Sequence, residues 1–436
     1  MPKNAPASPT VSTADSNGKP VPSPQEDNLW PKPRLRHPLM GSDLRTLLTI
    51  FLKNGFGRYP LHFVLFLATA LARWPFSTYE RWWVSRYSPV PNSLASDALP
   101  SDALPSDALA SDALALRGSV SGAFIPNSQT EFNRPPIFIL GHWRSGTTFL
   151  YNVLSRSPQF AYLTPLATGL PWDFLTLGKA LEPMLNKALP EGRFIDNVPV
   201  KPDSPQEDEI ALASMQTLSF YHGLYFPKRF VEYFNAGIFL EGASQQEIHR
   251  WEQTVIHFYK KLRLQNPGKQ LLIKNPVYTA RVAHLRRLYP NAKFIHIYRN
   301  PYRVFHSTEN FYRKLFPELA FQPFNQVPVR EVILSSYPKM MNALYRDVQD
   351  LPKENFIEFN FESFESDPIS QFQIVYAQLG LENWEIDKSL FQQYLSEQKH
   401  YRKNKYAFSP ESIELVSDRW QPFLSRWGYS VPGIDR

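Results

Sequence analysis

Pro135-Pro136-Ile137-Phe138-Ile139-Leu140-Gly141-His142-Trp143-Arg144-Ser145-Gly146-Thr147-Thr148-Phe149-Leu150 is the stretch on which the reading of the fold turns. Its four-residue apolar run, Ile137 to Leu140, predicts a buried strand. The strand empties into a turn whose glycines, Gly141 and Gly146, lie five positions apart, and Leu150, Val153 and Leu154 then share one face of a helix. Glycines let backbone N–H groups close on an anion. The helix that follows aims its own unpaired N–H groups and the positive end of its dipole at the same point. The stretch therefore reads as a phosphate cradle, the plainer alternative being a glycine turn that feeds an ordinary helix. Its spacing is that of the G-x-x-x-x-G nucleotide loop, but Thr147 stands where that motif has lysine, and the nearest cation is Arg144, inside the turn.

Two further strand–turn–helix units lie downstream. Leu271, Leu272 and Ile273 predict a strand ending at Lys274-Asn275-Pro276, followed by a helix carrying Ala280, Ala283, His284, Leu285 and Leu288. Lys274 thus sits at a strand's carboxyl end, where open parallel sheets bind ligands. Residues 292–298 predict another strand, stopped by Arg299 and by Asn300 as cap, with Pro301 opening a helix that runs to Pro317. Arg299 at the strand end and Ser307 two turns into the helix could both reach a second phosphate. With a fourth strand at 356–361, the pattern predicts an α/β fold: a P-loop-like, three-layer arrangement with a mainly parallel central sheet flanked by helices.

Ser204-Pro205-Gln206-Glu207-Asp208-Glu209 opens a further helix. Ser204 as N-cap, Pro205 in the first turn and Glu207 three residues on make a capping box, which accounts for the acids without chemistry. The functional reading is that one of them is a general base at a cleft.

The chain has 436 residues, 43% apolar and 14% aromatic, enough for a large core. Without cysteine it forms neither disulfides nor thiolate metal sites. Its net charge of +7 is uneven: residues 1–92 hold eleven Lys/Arg against five Asp/Glu, whereas 93–118 hold four Asp against Arg117. No dense basic stripe points to nucleic acid. Residues 1–40, rich in Pro and Ser, are predicted to be a disordered tail. Residues 41–92 contain two apolar stretches, each shorter than the roughly 18–20 residues that span a bilayer. Flanked by Lys53, Arg58, Arg73, Trp74, Trp82 and Trp83, residues 44–86 suit either an interfacial membrane anchor or helices packed on the main domain. Ser-Asp-Ala-Leu recurs at 96, 101, 106 and 111, a period matching neither helix nor strand, so 93–118 reads as a linker. Residues 157–200 read as loops and short helices lining a pocket, and 131–436 as the catalytic domain.

From residue 131 onward the chain resembles the bacterial-type sulfotransferases that use 3′-phosphoadenosine-5′-phosphosulfate. Residues 141–148 resemble the family's 5′-phosphosulfate loop. Residues 294–307 resemble its 3′-phosphate unit, with Arg299 and Ser307 at the family spacing. The resemblance implies that Ser145, Gly146, Thr147 and Thr148 cradle the 5′-phosphate and that Arg299 and Ser307 hold the 3′-phosphate. Arg144 replaces a common lysine and implies electrostatic stabilisation of the leaving phosphate without proton donation. Lys274 resembles a basic residue that faces the transferring group. Many members place a histidine two residues beyond that lysine; here the position is Pro276, so the acidic run supplies the base, Glu207 first and Glu209 second. No metal is implied. The family's glycine-rich C-terminal 3′-phosphate segment has no counterpart, and Lys399, Tyr401, Arg402, Lys403 and Lys405 read as solvated surface.

The expected reaction is in-line transfer of a sulfuryl group to a hydroxyl on a lipid, glycan or small metabolite, by a cytoplasmic chain that touches a membrane surface. Two alternatives stay open. A nucleoside or small-molecule kinase would need magnesium and a carboxylate to hold it; a membrane-associated binding module would have lost catalysis.

Overall fold

The computed structural model describes residues 37–57, 59–86, 134–187, 189, 200–398 and 408–432. The tail up to residue 36, the 93–118 repeat and the basic cluster at 399–405 lie outside the described residues.

Among the described residues five strands form one sheet. They are β1 (Ile137–Leu140), β2 (Phe160–Ala161), β3 (Gln270–Lys274), β4 (Lys293–Tyr298) and β5 (Phe356–Asn360), in the order β2-β3-β1-β4-β5 and parallel throughout. Ile139 pairs with Lys274 on one side and Ile295 on the other, so the carboxyl ends of β1, β3 and β4 lie on one side of the sheet, β4 running two residues beyond Leu140. Their next residues, Gly141, Asn275 and Arg299, leave from one edge. The four predicted strands are present to within a residue or two; two-residue β2 is too short to show a period.

The helices bearing on this edge are α1 (Leu44–Asn54), α2 (Pro60–Arg86), α3 (Thr147–Leu154), α4 (Asp208–Met215), α5 (Gln245–Gln265), α6 (Pro301–Leu319), α7 (Val329–Val348) and α8 (Pro368–Leu379). Phe138, Leu140, Leu271, Ile273 and Phe294 pack with α4, α5 and the end of α7, whereas Ile137, Ile139, Leu272, Ile295 and Ile297 pack with α3 and α8. Both faces are covered, which is why the strands read as unbroken apolar runs. α6 continues through Pro317, because a single missing N–H in the final turn does not end the helix.

The N-terminal helices join the third apolar cluster, where Leu47, Ile50, Phe51 and Phe66 meet Phe226 and Phe321. One stripe of α2 faces inward: Phe66, Ala70, Arg73, Ser77, Glu80 and Val84. Arg73 pairs with Asp173 at 2.5 Å and donates to Met40 O at 2.7 Å; Glu80 pairs with Lys261 at 2.7 Å and accepts from Thr176 N at 2.9 Å. Removing one member of such a buried pair typically costs about 3–5 kcal/mol. Residues 37–40, predicted as disordered tail, are ordered. His37 caps the 3₁₀ turn Pro38–Gly41 and lies against Phe66, Tyr225 and Phe321, with its Nε2 at 3.1 Å from Leu319 O. Such contacts come from distant segments and leave no local period. Among the described residues no helix is long and apolar enough to cross a membrane.

Candidate active site

The loop between β1 and α3 is wound as its glycines require. Gly141 (φ +145°) and Gly146 (φ +102°) lie where L side chains are strained. A Cβ on Gly141 would stand 2.5 Å from Ile297 O, and one on Gly146 would stand 2.1 Å from the Phe361 ring. Arg144 also takes a left-handed conformation, φ 72°. Ser145 closes the turn by donating to His142 O from both Oγ (2.7 Å) and N (3.2 Å), and Gly141 N donates to Thr279 Oγ1 at 2.8 Å. Gly146 is the N-cap of α3, so the first N–H groups of that helix open beside the loop.

On one flank of the loop Lys274, at the end of β3, forms an ion pair with Glu207, and its Nζ lies 3.4 Å from Thr148 Oγ1 in the first turn of α3. Three segments far apart in sequence therefore place a carboxylate, an ammonium and a hydroxyl together. The capping box predicted there does not form. The chain from Ser204 to Glu207 has no regular structure, Gln206 N donating to Leu163 O at 2.9 Å, and α4 starts at Asp208 with Glu207 as an N-cap in extended conformation whose side chain makes no capping bond. Ser204 Oγ instead accepts from Lys201 N at 2.8 Å. A backbone bond to a distant carbonyl overrides the local rule, and Glu207 is left to face Lys274.

The neighbouring acids turn inward. Asp208 accepts hydrogen bonds from Tyr259 (2.5 Å), Tyr278 and Asn275 Nδ2 (2.9 Å). Glu209, the second candidate base, is 1% exposed, with its oxygens accepting from Ser219 Oγ (2.6 Å) and Asn275 Nδ2 (3.1 Å). It does not share the Glu207–Lys274 cluster. Asn275 bridges the two buried carboxylates and so ties the start of α4 to the end of β3. Burial pushes the Asp208 carboxyl up to about 7 against the pull of those hydrogen bonds, with the Glu209 charge adding to the rise. Burial also raises Glu209, opposed chiefly by the Arg281 charge. Pro276 is buried and opens the 3₁₀ turn Pro276–Ala280, whose first N–H groups are capped by Asn275 (Val277 N, 3.0 Å).

On the other flank Arg144 Nε donates to Ser307 Oγ at 2.8 Å, and Arg299 Nη1 lies 3.4 Å from Arg144 O. The Arg299 guanidinium sits 4.4 Å from the centre of the Phe361 ring, the same ring that closes on Gly146. Asn300 caps α6 as predicted, accepting from Tyr302 N (3.0 Å) and Arg303 N (3.3 Å). Arg299, Arg303, Phe361, Glu362 and Tyr429 line a cavity of about 420 Å³ at this edge. Of the predicted site residues, Lys274, Glu207 and Thr148 thus converge on one flank, Arg144, Ser307 and Arg299 on the other, with Ser145, Gly146 and Thr147 between them. Sequence reasoning missed Phe361, Asn275, Thr279, Tyr259 and Tyr278. Asn275 carried a signal, since it directly follows Lys274 at a strand end.

A parallel sheet with a glycine loop at the carboxyl end of its central strand, basic on both flanks, defines a P-loop-like α/β fold. The sulfotransferase family model matches residues 135–385, more than half of the chain, and the chain belongs to that family. It is a sulfotransferase. It is 29% identical over 302 residues to omega-hydroxy-beta-dihydromenaquinone-9 sulfotransferase Stf3 of Mycobacterium bovis, covering 69% of this chain and 77% of that protein, and matches the Mycobacterium tuberculosis protein of the same name equally. Among solved structures it is similar in fold to sulfotransferase STF9 of Mycobacterium avium (TM-score 0.56, 16% identity, 69% of this chain and 79% of that one). It is also similar to sulfotransferase STF1 of Mycobacterium tuberculosis (TM-score 0.52, 12% identity, 86% and 90%).

Proposed function

We propose that the chain binds 3′-phosphoadenosine-5′-phosphosulfate across the glycine loop and transfers its sulfuryl group to the hydroxyl of an apolar, lipid-class acceptor. The observation that carries this reading is the convergence of Glu207, Lys274 and Thr148 on one flank of the loop, with Arg144, Ser307 and Arg299 on the other. In it, Ser145, Gly146, Thr147 and Thr148 hold the 5′-phosphate through hydroxyls and N–H groups, and Arg299 and Ser307 hold the 3′-phosphate. Glu207 takes the acceptor's proton while the acceptor oxygen bonds to sulfur and the bond from sulfur to the bridging oxygen breaks. Lys274 and Arg144 offset the charge that develops on the sulfuryl group and the departing phosphate. An arginine offers fixed donors rather than a transferable proton, so the part of Arg144 is electrostatic.

The acceptor class is supported by the mycobacterial relative, whose name gives it an omega-hydroxylated dihydromenaquinone. We further read the outer face of residues 44–86 as meeting a membrane, from which such an acceptor would come. The test is calorimetric titration of the full chain with 3′-phosphoadenosine-5′-phosphate, alongside ATP with magnesium. We expect the bisphosphate to bind and ATP not to compete, and Arg299→Ala to weaken binding about 10- to 100-fold, the loss of one charge-assisted phosphate contact. A preference for ATP, or an unaffected Arg299→Ala, would overturn the assignment.

A further inference from the structure

We propose that α1 and α2 form an in-plane docking element for anionic phospholipid bilayers, with Arg45, Arg81 and Arg250 as the seat of a headgroup phosphate. The proposal rests on the reading that this face meets a membrane, and not on the identity of the acceptor.

α2 is apolar on two sides. Opposite its inward stripe run Leu61, Val64, Leu71, Tyr79 and Trp82, between 47% and 79% exposed, at helical spacing. On and beyond α1, Leu48, Leu52 and Phe56 are exposed too, and the Phe56 ring packs on Phe63 at 4.7 Å, which joins the two helices' surfaces. Of the fourteen large apolar side chains exposed among the described residues, ten lie between positions 48 and 82, so the patch is local rather than a general property of the surface. A helix apolar all round belongs against protein or lipid on both sides. It cannot turn to span, because Arg73 and Glu80 fasten it along its length to Asp173 and Lys261. Its outer side therefore meets a flat partner lengthwise.

Charge selects that partner. Residues 44–86 contain a single acid, Glu80, which is buried, whereas Arg45, Lys53 and Arg86 are exposed, Lys53 in an ion pair with Glu232 at 3.2 Å. Two copies of this face would bring like charges together, and an anionic bilayer would not. The seat is a cavity of about 170 Å³ between α1, α2 and α5, into which Arg45, Arg81 and Arg250 converge with Thr46, Thr49 and Gln216. Its one lining carboxylate, Asp43, lies 3.6 Å from Arg81. The Arg81 guanidinium is fixed 4.4 Å from the centre of the Trp172 ring system, and the next residue, Trp82, belongs to the apolar stripe. Arg81 thus joins the cavity to the helix that carries the stripe.

The test is flotation of the full chain with vesicles of phosphatidylcholine alone or mixed with phosphatidylglycerol. Wild type is expected to partition at least about tenfold better into the mixed vesicles. Arg45→Gln with Arg250→Gln should remove that preference while leaving weak binding to both, and Val64→Glu with Leu71→Glu should abolish binding to both. Each variant should bind 3′-phosphoadenosine-5′-phosphate like wild type, which shows that it is folded. If the arginine variant keeps the preference for phosphatidylglycerol, the seat is wrong and the membrane face stands. If wild type binds neither vesicle, both fail, and a dimer in sedimentation that the glutamate variant dissociates would identify self-association as the face's role. Binding of inorganic phosphate, lost in the arginine variant without any vesicle preference, would make the seat a site for a soluble anion and overturn the lipid assignment.

Discussion

Glu207 and Glu209 stand two positions apart, yet the structure gives them different surroundings, and that difference separates their roles. Glu207 touches Lys274 at the open edge, while Glu209 is enclosed by Ser219 and Asn275. Glu207→Gln preserves shape but removes the proton acceptor. With the donor and a hydroxylated acceptor supplied, its kcat is expected to fall roughly 10²- to 10⁴-fold, the range for losing a general base. Bisphosphate affinity should stay within about threefold of wild type. Glu209→Gln should mainly lower the unfolding midpoint, because a carboxamide places an N–H against a donor in a buried site. If the two variants lose equal activity at equal stability, Glu207 is not the base. Arg144 and Ser307 belong to a different test, since each is bonded to the other and changing either alters both sides of the donor site.

The joint between α4 and β3 holds the Glu207–Lys274 pair, and Asp208 is its centre. In the folded chain its carboxyl titrates near 7, well above an ordinary aspartate near 3.8. Between those values the folded state keeps a proton that the unfolded state has lost, so this group's contribution to stability falls as pH rises from about 4 to 7. Asp208→Asn removes that dependence. Denaturant unfolding at pH 5 and pH 7.5 should show the stability gap between variant and wild type moving in the variant's favour by about 2 kcal/mol; a constant gap would mean that Asp208 holds no such proton. This element also marks where the sequence stops being informative. β1 with its loop and α3, and β4 with α6, are legible because strand run, glycine spacing and Asn300 cap are all local signals. The clamp is not, because it needs Tyr259 from α5 and Tyr278 from beyond β3, and no local rule brings them to Asp208. The same holds for α2: Arg73 reads as a basic flank of an apolar stretch, but its partner Asp173 lies a hundred residues away. The capping box at Ser204 was the opposite case, a sound local rule that a backbone bond to Leu163 displaces.

Across the whole molecule, buried histidines set the acid limit of the fold. Burial lowers His37 and His257 to about 3, and His142 and His222 to about 4, from the usual 6.5. His222 shows which effect prevails: carbonyl oxygens of Ala213 and Thr217 lie 2.8 and 3.0 Å from its two nitrogens and favour the cation, yet desolvation outweighs them. These rings are spread over the molecule, from the N-terminal turn through the glycine loop to α5, so protonating them loosens several parts of the core at once. The stability they contribute is fully present above pH 6.5. It is lost as pH falls towards 4, because the unfolded chain takes up protons there that the folded chain refuses. Asp208 and Glu209 work in the opposite direction over part of that range, as the folded state holds their protons. Of the four histidine protons Asp208 offsets one and Glu209 at most one more, so unfolding takes up two to three protons. At about 1.4 kcal/mol per proton and pH unit, stability should drop by roughly 3–4 kcal/mol for each unit below 6. For a domain whose total stability is typically about 5–15 kcal/mol, cooperative unfolding is then expected between pH 5 and 4. Intrinsic tryptophan fluorescence followed from pH 7 to 3, with proton uptake measured by potentiometric titration across the transition, checks this. A chain that keeps its native spectrum at pH 4, or unfolds there without taking up protons, would show that these histidines are not held neutral in the fold. Saturating bisphosphate should shift the transition to lower pH, because its binding energy adds to the folded state alone.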